Sequence, residues 1–184
     1  VVIYPPATPD ITISSSDTDI CIGTNIVFTS VRIDGGTNPN YQWFWNGLPY
    51  GPNSSSFSTT LLETNDSVYV VMFSNAHCLT KPNDTSNAIT FNTTDNISPT
   101  ITLTSYPQAG ASGTPIIYAA TTPVLPPYTI QWFRNNALAT TTTTNTWATN
   151  IVNNTDSVYA KILNYTGCYL APFATSKTIK LGAL

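Results

Sequence analysis

Large aromatic residues occupy every second position of the largely apolar stretch Tyr41-Gln42-Trp43-Phe44-Trp45, and the chain continues Asn46-Gly47. At a period of two, Tyr41, Trp43 and Trp45 face one side of a strand and Gln42, Phe44 and Asn46 the other. Asn-Gly then supplies the two positive-φ positions of a tight hairpin turn. The pattern predicts the central strand of a β-sandwich with a core tryptophan. It returns as Ile130-Gln131-Trp132-Phe133-Arg134-Asn135-Asn136, so the chain holds two copies of one module.

The rest of the chain repeats with the same step. Pro9-Asp10-Ile11-Thr12-Ile13 is echoed by Pro99-Thr100-Ile101-Thr102-Leu103, an offset of 90 residues (99 − 9). Cys21-Ile22-Gly23-Thr24 matches Ala111-Ser112-Gly113-Thr114, with each glycine marking a turn before a strand. Asn65-Asp66-Ser67-Val68-Tyr69 matches Thr155-Asp156-Ser157-Val158-Tyr159, and Thr85–Thr90 matches Thr175–Lys180. Only the tryptophan strand is displaced by one residue, at an offset of 89 (132 − 43). In the first module, strands are expected near 10–14, 25–31, 40–46, 48–51, 56–61, 67–74 and 85–92. No long window carries apolar residues at helical spacing. Short strands with regular turn signals imply an all-β antiparallel sandwich in each half. The domains read from this pattern are 8–95 and 96–184. Residues 1–7 are either the tail of a preceding repeat or an N-terminal extension.

Composition narrows the class. Charged residues make up 8% of 184, and the polar surface is Thr, Ser and Asn, which suit strands and turns. The net charge of −3 and the scattered cations offer no basic patch for a nucleic acid. No apolar run is long enough to span a membrane.

These residues resemble an immunoglobulin-like fold. Asp66-x-x-Tyr69 and Asp156-x-x-Tyr159 look like the turn and tyrosine that enter its sixth strand, and Trp43 and Trp132 like the tryptophan of its third. The chain is most similar to the Ig-like and PKD-like repeats of large Bacteroidetes surface proteins. Those repeats carry a Cys-x-Gly start, a Tyr-x-Trp strand with Asn-Gly, an Asp-x-Val-x-Val strand and a second cysteine after it. Here these are Cys21-Ile22-Gly23, Tyr41-Gln42-Trp43, Asn46-Gly47, Asp66-Ser67-Val68-Tyr69-Val70 and Cys78. The resemblance implies two tandem Ig-like domains in a secreted or cell-surface adhesin, cargo of type IX secretion, with a role in cell adhesion or gliding motility. It also implies a Cys21–Cys78 disulfide. Closing that loop of 57 residues (78 − 21) would stabilise by about 4 kcal/mol in the chain-entropy model. Cys21 precedes its expected strand and Cys78 follows its own, so such a bridge would lie near a loop. Cys168 faces Ala111 in the second module and is then a free thiol, either a relic or an intermolecular crosslink.

Catalysis has little material. His77 is the only histidine and Glu63 the only glutamate, so no catalytic residue, metal centre or cofactor is expected. Asp17, Asp19 and Asp95 read as turn-capping residues before calcium ligands. Tyr69, Tyr159, Phe57 and Trp147 are expected in the core with the two tryptophans. Phe44, Trp45, Tyr50 and Phe133 are the aromatics available to face a ligand, with Tyr106 also near a strand end. Asp66-Ser67-Val68 and Asp156-Ser157-Val158 resemble the O-glycosylation site of the Bacteroidetes, which would place glycans on Ser67 and Ser157. The competing reading is that each aspartate caps a turn and each serine enters a strand. The expected function is a non-catalytic stalk or adhesive repeat. Its expected partners are neighbouring repeats of the same or a like chain, surface glycans or another surface protein. The alternative is a carbohydrate-binding or spacer module of a secreted hydrolase.

Overall fold

The computed structural model describes residues 3–107, 115–150, 153 and 155–180. The turn expected at Gly113, and Ala111 beside it, lie outside them. The chain divides into two compact units, Val1–Asp95 and Asn96–Leu184. Among the described residues there is no helix, and each sheet is built from strands of one unit.

In unit 1 the strands are β1 (Asp10–Ser15), β2 (Asp19–Cys21), β3 (Ile26–Ile33), β4 (Asn40–Trp45), β5 (Leu48–Pro49), β6 (Ser56–Thr59), β7 (Ser67–Phe73), β8 (Asn83–Thr85), β9 (Ile89–Thr90) and β10 (Asn92–Thr94). One sheet has the order β1-β3-β6, and the other β5-β4-β7-β8, with β9 also on β7. The core lies between them: Ile11, Ile13, Phe28 and Phe57 from the first sheet meet Trp43, Val68, Val70 and Met72 from the second. The alternation expected from the sequence sets this arrangement. Strand β7 buries every second residue, and Trp43, paired with Val70, is fully enclosed. Asn46 and Gly47 adopt φ of 50° and 78°, which closes the β4–β5 hairpin. Two features differ from the expected strands. The span 85–92 is broken into β8 and β9, where Ser86 turns its hydroxyl onto the Val70 amide. Strand β2 was not expected and pairs in parallel with β10.

Unit 2 repeats the plan with β11 (Thr102–Tyr106), β12 (Ile116–Thr121), β13 (Thr129–Arg134), β14 (Ala137–Thr142), β15 (Thr146–Thr149), β16 (Ser157–Leu163), β17 (Phe173–Thr175) and β18 (Ile179–Lys180). Its sheets run β11-β12-β15 and β14-β13-β16-β17, with β18 on β16. Trp132 takes the place of Trp43 and pairs with Ala160. The Asn135-Asn136 turn has φ of 48° and 66°, the same left-handed pair as Asn46-Gly47, which asparagine tolerates better than most residues.

One core position differs in a way that carries a measurable cost. Tyr118 stacks on Trp147 at 5.4 Å, as Phe28 stacks on Phe57 at 5.5 Å. The Tyr118 hydroxyl is buried without a hydrogen-bond partner among the described residues. A buried polar group left unpaired costs roughly 1–3 kcal/mol. Tyr118→Phe is therefore expected to stabilise the chain by about 1 kcal/mol, read as a rise in the denaturant midpoint. Burial, followed by the nearby Asp156 charge, pushes the Tyr118 phenol up to about 12, against an opposing effect of Arg134. The unfolded chain ionises this phenol near 10.0, so its share of the stability falls as pH rises from there toward the folded value. The phenylalanine variant should lack that share of the alkaline loss.

Candidate functional site

Three groups of side chains remain once the core is accounted for: the outward aromatics, the Asp–Asn corners and the cysteines.

The outward aromatics follow from strand parity. Phe44 and Tyr69 are cross-strand partners on the outer face of the larger sheet and stack at 4.9 Å with planes 7° apart. Phe133 and Tyr159 do the same in unit 2, at 4.7 Å and 4°. This corrects the expectation that Tyr69 and Tyr159 are core residues. Val68 and Val70 are the buried positions of β7, so Tyr69 between them must point outward. Both tyrosines are half-buried by their stacking partners. In unit 2 the face gains a cation: Lys161 sits 3.8 Å from the centre of the Phe173 ring. A shallow depression of about 410 Å³ lies beside Phe133, Tyr159 and Lys161. Each ring of a stacked pair has one face covered by the other, so the pairs work first as cross-strand contacts, worth roughly 0.2–1 kcal/mol each. Trp45 leans on the core and meets Tyr50 edge-on at 4.9 Å, and Tyr50 meets Phe57 in turn. These two cover the margin of the sandwich rather than extending the Phe44 face. Tyr106 is almost fully exposed.

The Asp–Asn corners fasten each hairpin turn to the entry of the long strand that pairs with the tryptophan strand, β7 in unit 1 and β16 in unit 2. Asp66 accepts hydrogen bonds from the Asn46 amide group at 2.7 Å and the Glu63 backbone at 2.7 Å. Asn46 Oδ1 accepts from the Ser67 backbone at 2.9 Å. In unit 2, Asp156 accepts from Asn135 and from the Asn153 backbone, and Asn135 accepts from the Ser157 backbone. Arg134 lies 4.0 Å from the Asp156 carboxylate. Burial alone would raise the Asp66 carboxyl, but the bonds from Asn46, Glu63 and Trp45 outweigh it and hold it below its usual value. The Asn153 amide does most to hold Asp156 down, against burial and with help from Asn135 and Arg134. The Asp of each Asp-Ser motif thus locks a turn. Ser67 and Ser157 open their strands half-buried, and the Ser157 hydroxyl donates to Asn135 Oδ1. Strand alternation and the repeat bring out Asp66 and Asp156, but their partners 20 and 21 residues away were not legible.

The cysteines correct the expected pairing. Cys78 carries an exposed free thiol, while Cys21 and Cys168 are each in the disulfide form. The Cys21–Cys78 bridge fails on distance. Cys21 closes β2 opposite Thr94, at the end of unit 1 where β10 finishes. Cys78 lies beyond the other end of β7, where its carbonyl accepts from the Ala7 amide at 3.0 Å. The seven residues of β7 separate these ends by roughly 20 Å, and a disulfide needs Cα atoms within about 7 Å. Cys168 holds the matching place in unit 2, its carbonyl accepting from Ile97 at 2.8 Å. Titrating thiols in the unfolded, unreduced chain should find one reactive cysteine, and labelling should map it to Cys78. A label on Cys168 would overturn the assignment.

The remaining candidates have local roles. His77 stacks on Tyr4 at 4.5 Å near the point where the chain enters unit 1. Asp17 caps its own turn, accepting from Thr18 and Asp19, and Asp19 accepts from Asn92. Among the described residues, no group of three or more His, Cys, Asp or Glu side chains gathers at one place.

No family model matches the chain, and no curated protein matches it either. Among solved structures it is similar to the human OSCAR ligand-binding domain, at 11% identity over 94% of this chain and 97% of that one, with a TM-score of 0.37. It is also similar to the fibronectin(III)-like modules of Clostridium thermocellum CbhA, at 8% identity over 94% and 95%, TM-score 0.42. Domains A168–A170 of titin match at 12% over 96% of this chain and 61% of that one, TM-score 0.41. At these scores and identities none of them bears on function. The strand order and the two-sheet cores themselves are those of tandem immunoglobulin-like β-sandwiches.

Proposed function

We propose that this chain is a tandem Ig-like segment of a bacterial cell-surface adhesin or surface filament, serving as a stalk or adhesive repeat. One observation carries the reading: the two units are duplicates in detail. Each has the stacked outward pair, the Asp–Asn corner and a cysteine in the loop where its chain enters. Each unit carries its own core and so can be repeated in series, which suits an array that projects or attaches. The disulfide-bonded cysteines fit an oxidising compartment, and so a secreted or cell-surface location. The resemblance to Bacteroidetes surface repeats adds type IX export and a part in gliding or attachment. Its partners are then neighbouring repeats of the same or a like chain, surface glycans, or another surface protein, with Ser67 and Ser157 as sites for O-glycans.

Antibodies raised against this fragment should label intact cells of the source organism, and the purified fragment should compete with cell attachment. Labelling that requires permeabilised cells would sink the proposal. The second reading, a carbohydrate-binding or spacer module of a secreted hydrolase, draws on the Phe133, Tyr159 and Lys161 face. A glycan array separates the two: saturable binding lost in Phe133→Ala would favour the second.

A further inference from the structure

The two units differ at one edge. In unit 1 the outer edge of β1 is closed by side chains from the loop around β8. The Ile11 amide donates to Asp84 Oδ2 at 3.0 Å, and the Ile13 amide to Asn87 Oδ1 at 2.9 Å. Asn87 donates in turn to the Ile13 carbonyl at 3.2 Å. Asp84 is itself held by Lys81. The backbone around this closure is reproduced in unit 2, where Ser176 and Ala160 exchange the same bonds as Ser86 and Val70.

The closing side chains are not reproduced. At the offset of 90, Ile11 and Ile13 become Ile101 and Leu103, while Asp84 becomes Ala174 and Asn87 becomes Lys177. Alanine has no side-chain acceptor, and a lysine ammonium only donates. Among the described residues strand β11 pairs with β12 on one side alone, and none of them caps its second edge as Asp84 and Asn87 cap β1. A groove of about 790 Å³ runs along that edge, lined by Ile101, Leu103, Ala174, Lys177 and Ile179 among others. It is the largest of the depressions described on either unit, and most of its wall is apolar.

We propose that this groove is a strand-addition site, in which the outer edge of β11 takes an extended segment of a partner protein as an added strand. An exposed edge offers a row of backbone donors and acceptors to an incoming chain, and pockets for alternate side chains set its preference. The incoming carbonyls would replace the two acceptors that Asp84 and Asn87 supply in unit 1. Its apolar side chains at every second position would enter the groove between β11 and β17–β18. Lys177 sets the charge. It stands in the groove wall where unit 1 has a neutral amide, and no carboxylate is among the described residues that line the groove beside it. The segment it fits therefore carries an acidic residue flanking the alternating apolar ones. The inference holds whether the chain is an adhesin or a hydrolase accessory.

The test uses the full 184-residue chain. The probe is an acetylated, amidated heptapeptide that alternates valine and threonine and begins with aspartate. Amide hydrogen exchange is followed at Ile101 and Leu103. Without peptide these amides should exchange far faster than those of Ile11 and Ile13. Saturating peptide should slow them at least tenfold, and a lysine-first peptide should bind about two- to fivefold more weakly. The double variant Ala174→Asp with Lys177→Asn restores the unit 1 caps. It should protect both amides without peptide and abolish binding, while its melting curve stays that of a folded chain. Three results would overturn the proposal. The peptide could leave both amides unprotected at millimolar concentration, or the double variant could bind as the parent does. Protection could also be present without peptide, from a second copy if it falls on dilution, or from residues 181–184 if it does not.

Discussion

Replacing Trp132 or Trp43 with alanine should lower the stability of the affected unit by roughly 3–5 kcal/mol, the usual penalty for truncating a large core aromatic. Both indoles are fully enclosed. Trp43 packs against Phe28 and Phe57 at 5.9 and 5.8 Å, and Trp132 against Trp147 at 6.1 Å. Each also spends its one donor inside its unit. Trp43 Nε1 donates to the Ser54 carbonyl and Trp132 Nε1 to the Thr142 hydroxyl, both at 2.9 Å. Truncation therefore leaves a cavity and an acceptor without its donor. A domain of this size has only about 5–15 kcal/mol of stability, so each variant should melt far below the parent. Calorimetry should show one transition displaced and the other kept, because each core is built from its own unit. A Trp→Ala variant that melts with the parent would mean the indole is not a core residue.

Asp156→Ala should be the next largest loss, about 1.5–3 kcal/mol, the scale of hydrogen bonds to a charged group. Asp156 is only 7% exposed, and its carboxylate joins the Asn135 turn to the Asn153 backbone. Removing it leaves both donors unmet. The pH dependence follows from direction. Asp156, Asp66 and Asp84 are all held below their usual 3.8, the last chiefly by the hydrogen bond from Lys81. A depressed carboxyl stabilises fully above its unfolded value, and that contribution is lost as pH falls through the folded one. Stability of the parent should thus drop as pH falls below about 4, and Asp156→Ala should drop less steeply. Parallel acid-unfolding curves for the two chains would refute the role given to Asp156.

The legible part of this protein is what depends on the order of residues along one strand. Alternation at Tyr41–Trp45 placed Trp43 inward and Phe44 outward, and Asn46-Gly47 named the hairpin that follows. The same rule, applied to β7, would have turned Tyr69 outward between Val68 and Val70. The structure follows that parity, with Tyr69 half-buried between the two enclosed valines. Strand β2 is not legible in the sequence because three residues, Asp19–Cys21, carry no measurable period, and only pairing with β10 makes them a strand.

By itself the sequence determined the repeat, the all-β class and the two core tryptophans, because each rests on periodicity or turn chemistry within a few residues. The tertiary structure alone decided which ends of a unit lie together. Cys21 and Cys78 look paired along the chain, yet β7 holds them at opposite ends, so the free thiol is Cys78. It also decided that Asp84 and Asn87 cap the edge of β1, contacts spanning 73 and 74 residues that no local pattern encodes. The substitutions to Ala174 and Lys177 were visible in the alignment of the two halves. Their consequence, a strand edge that none of the described residues caps beside an apolar groove, exists only once β11 and β17–β18 are brought side by side.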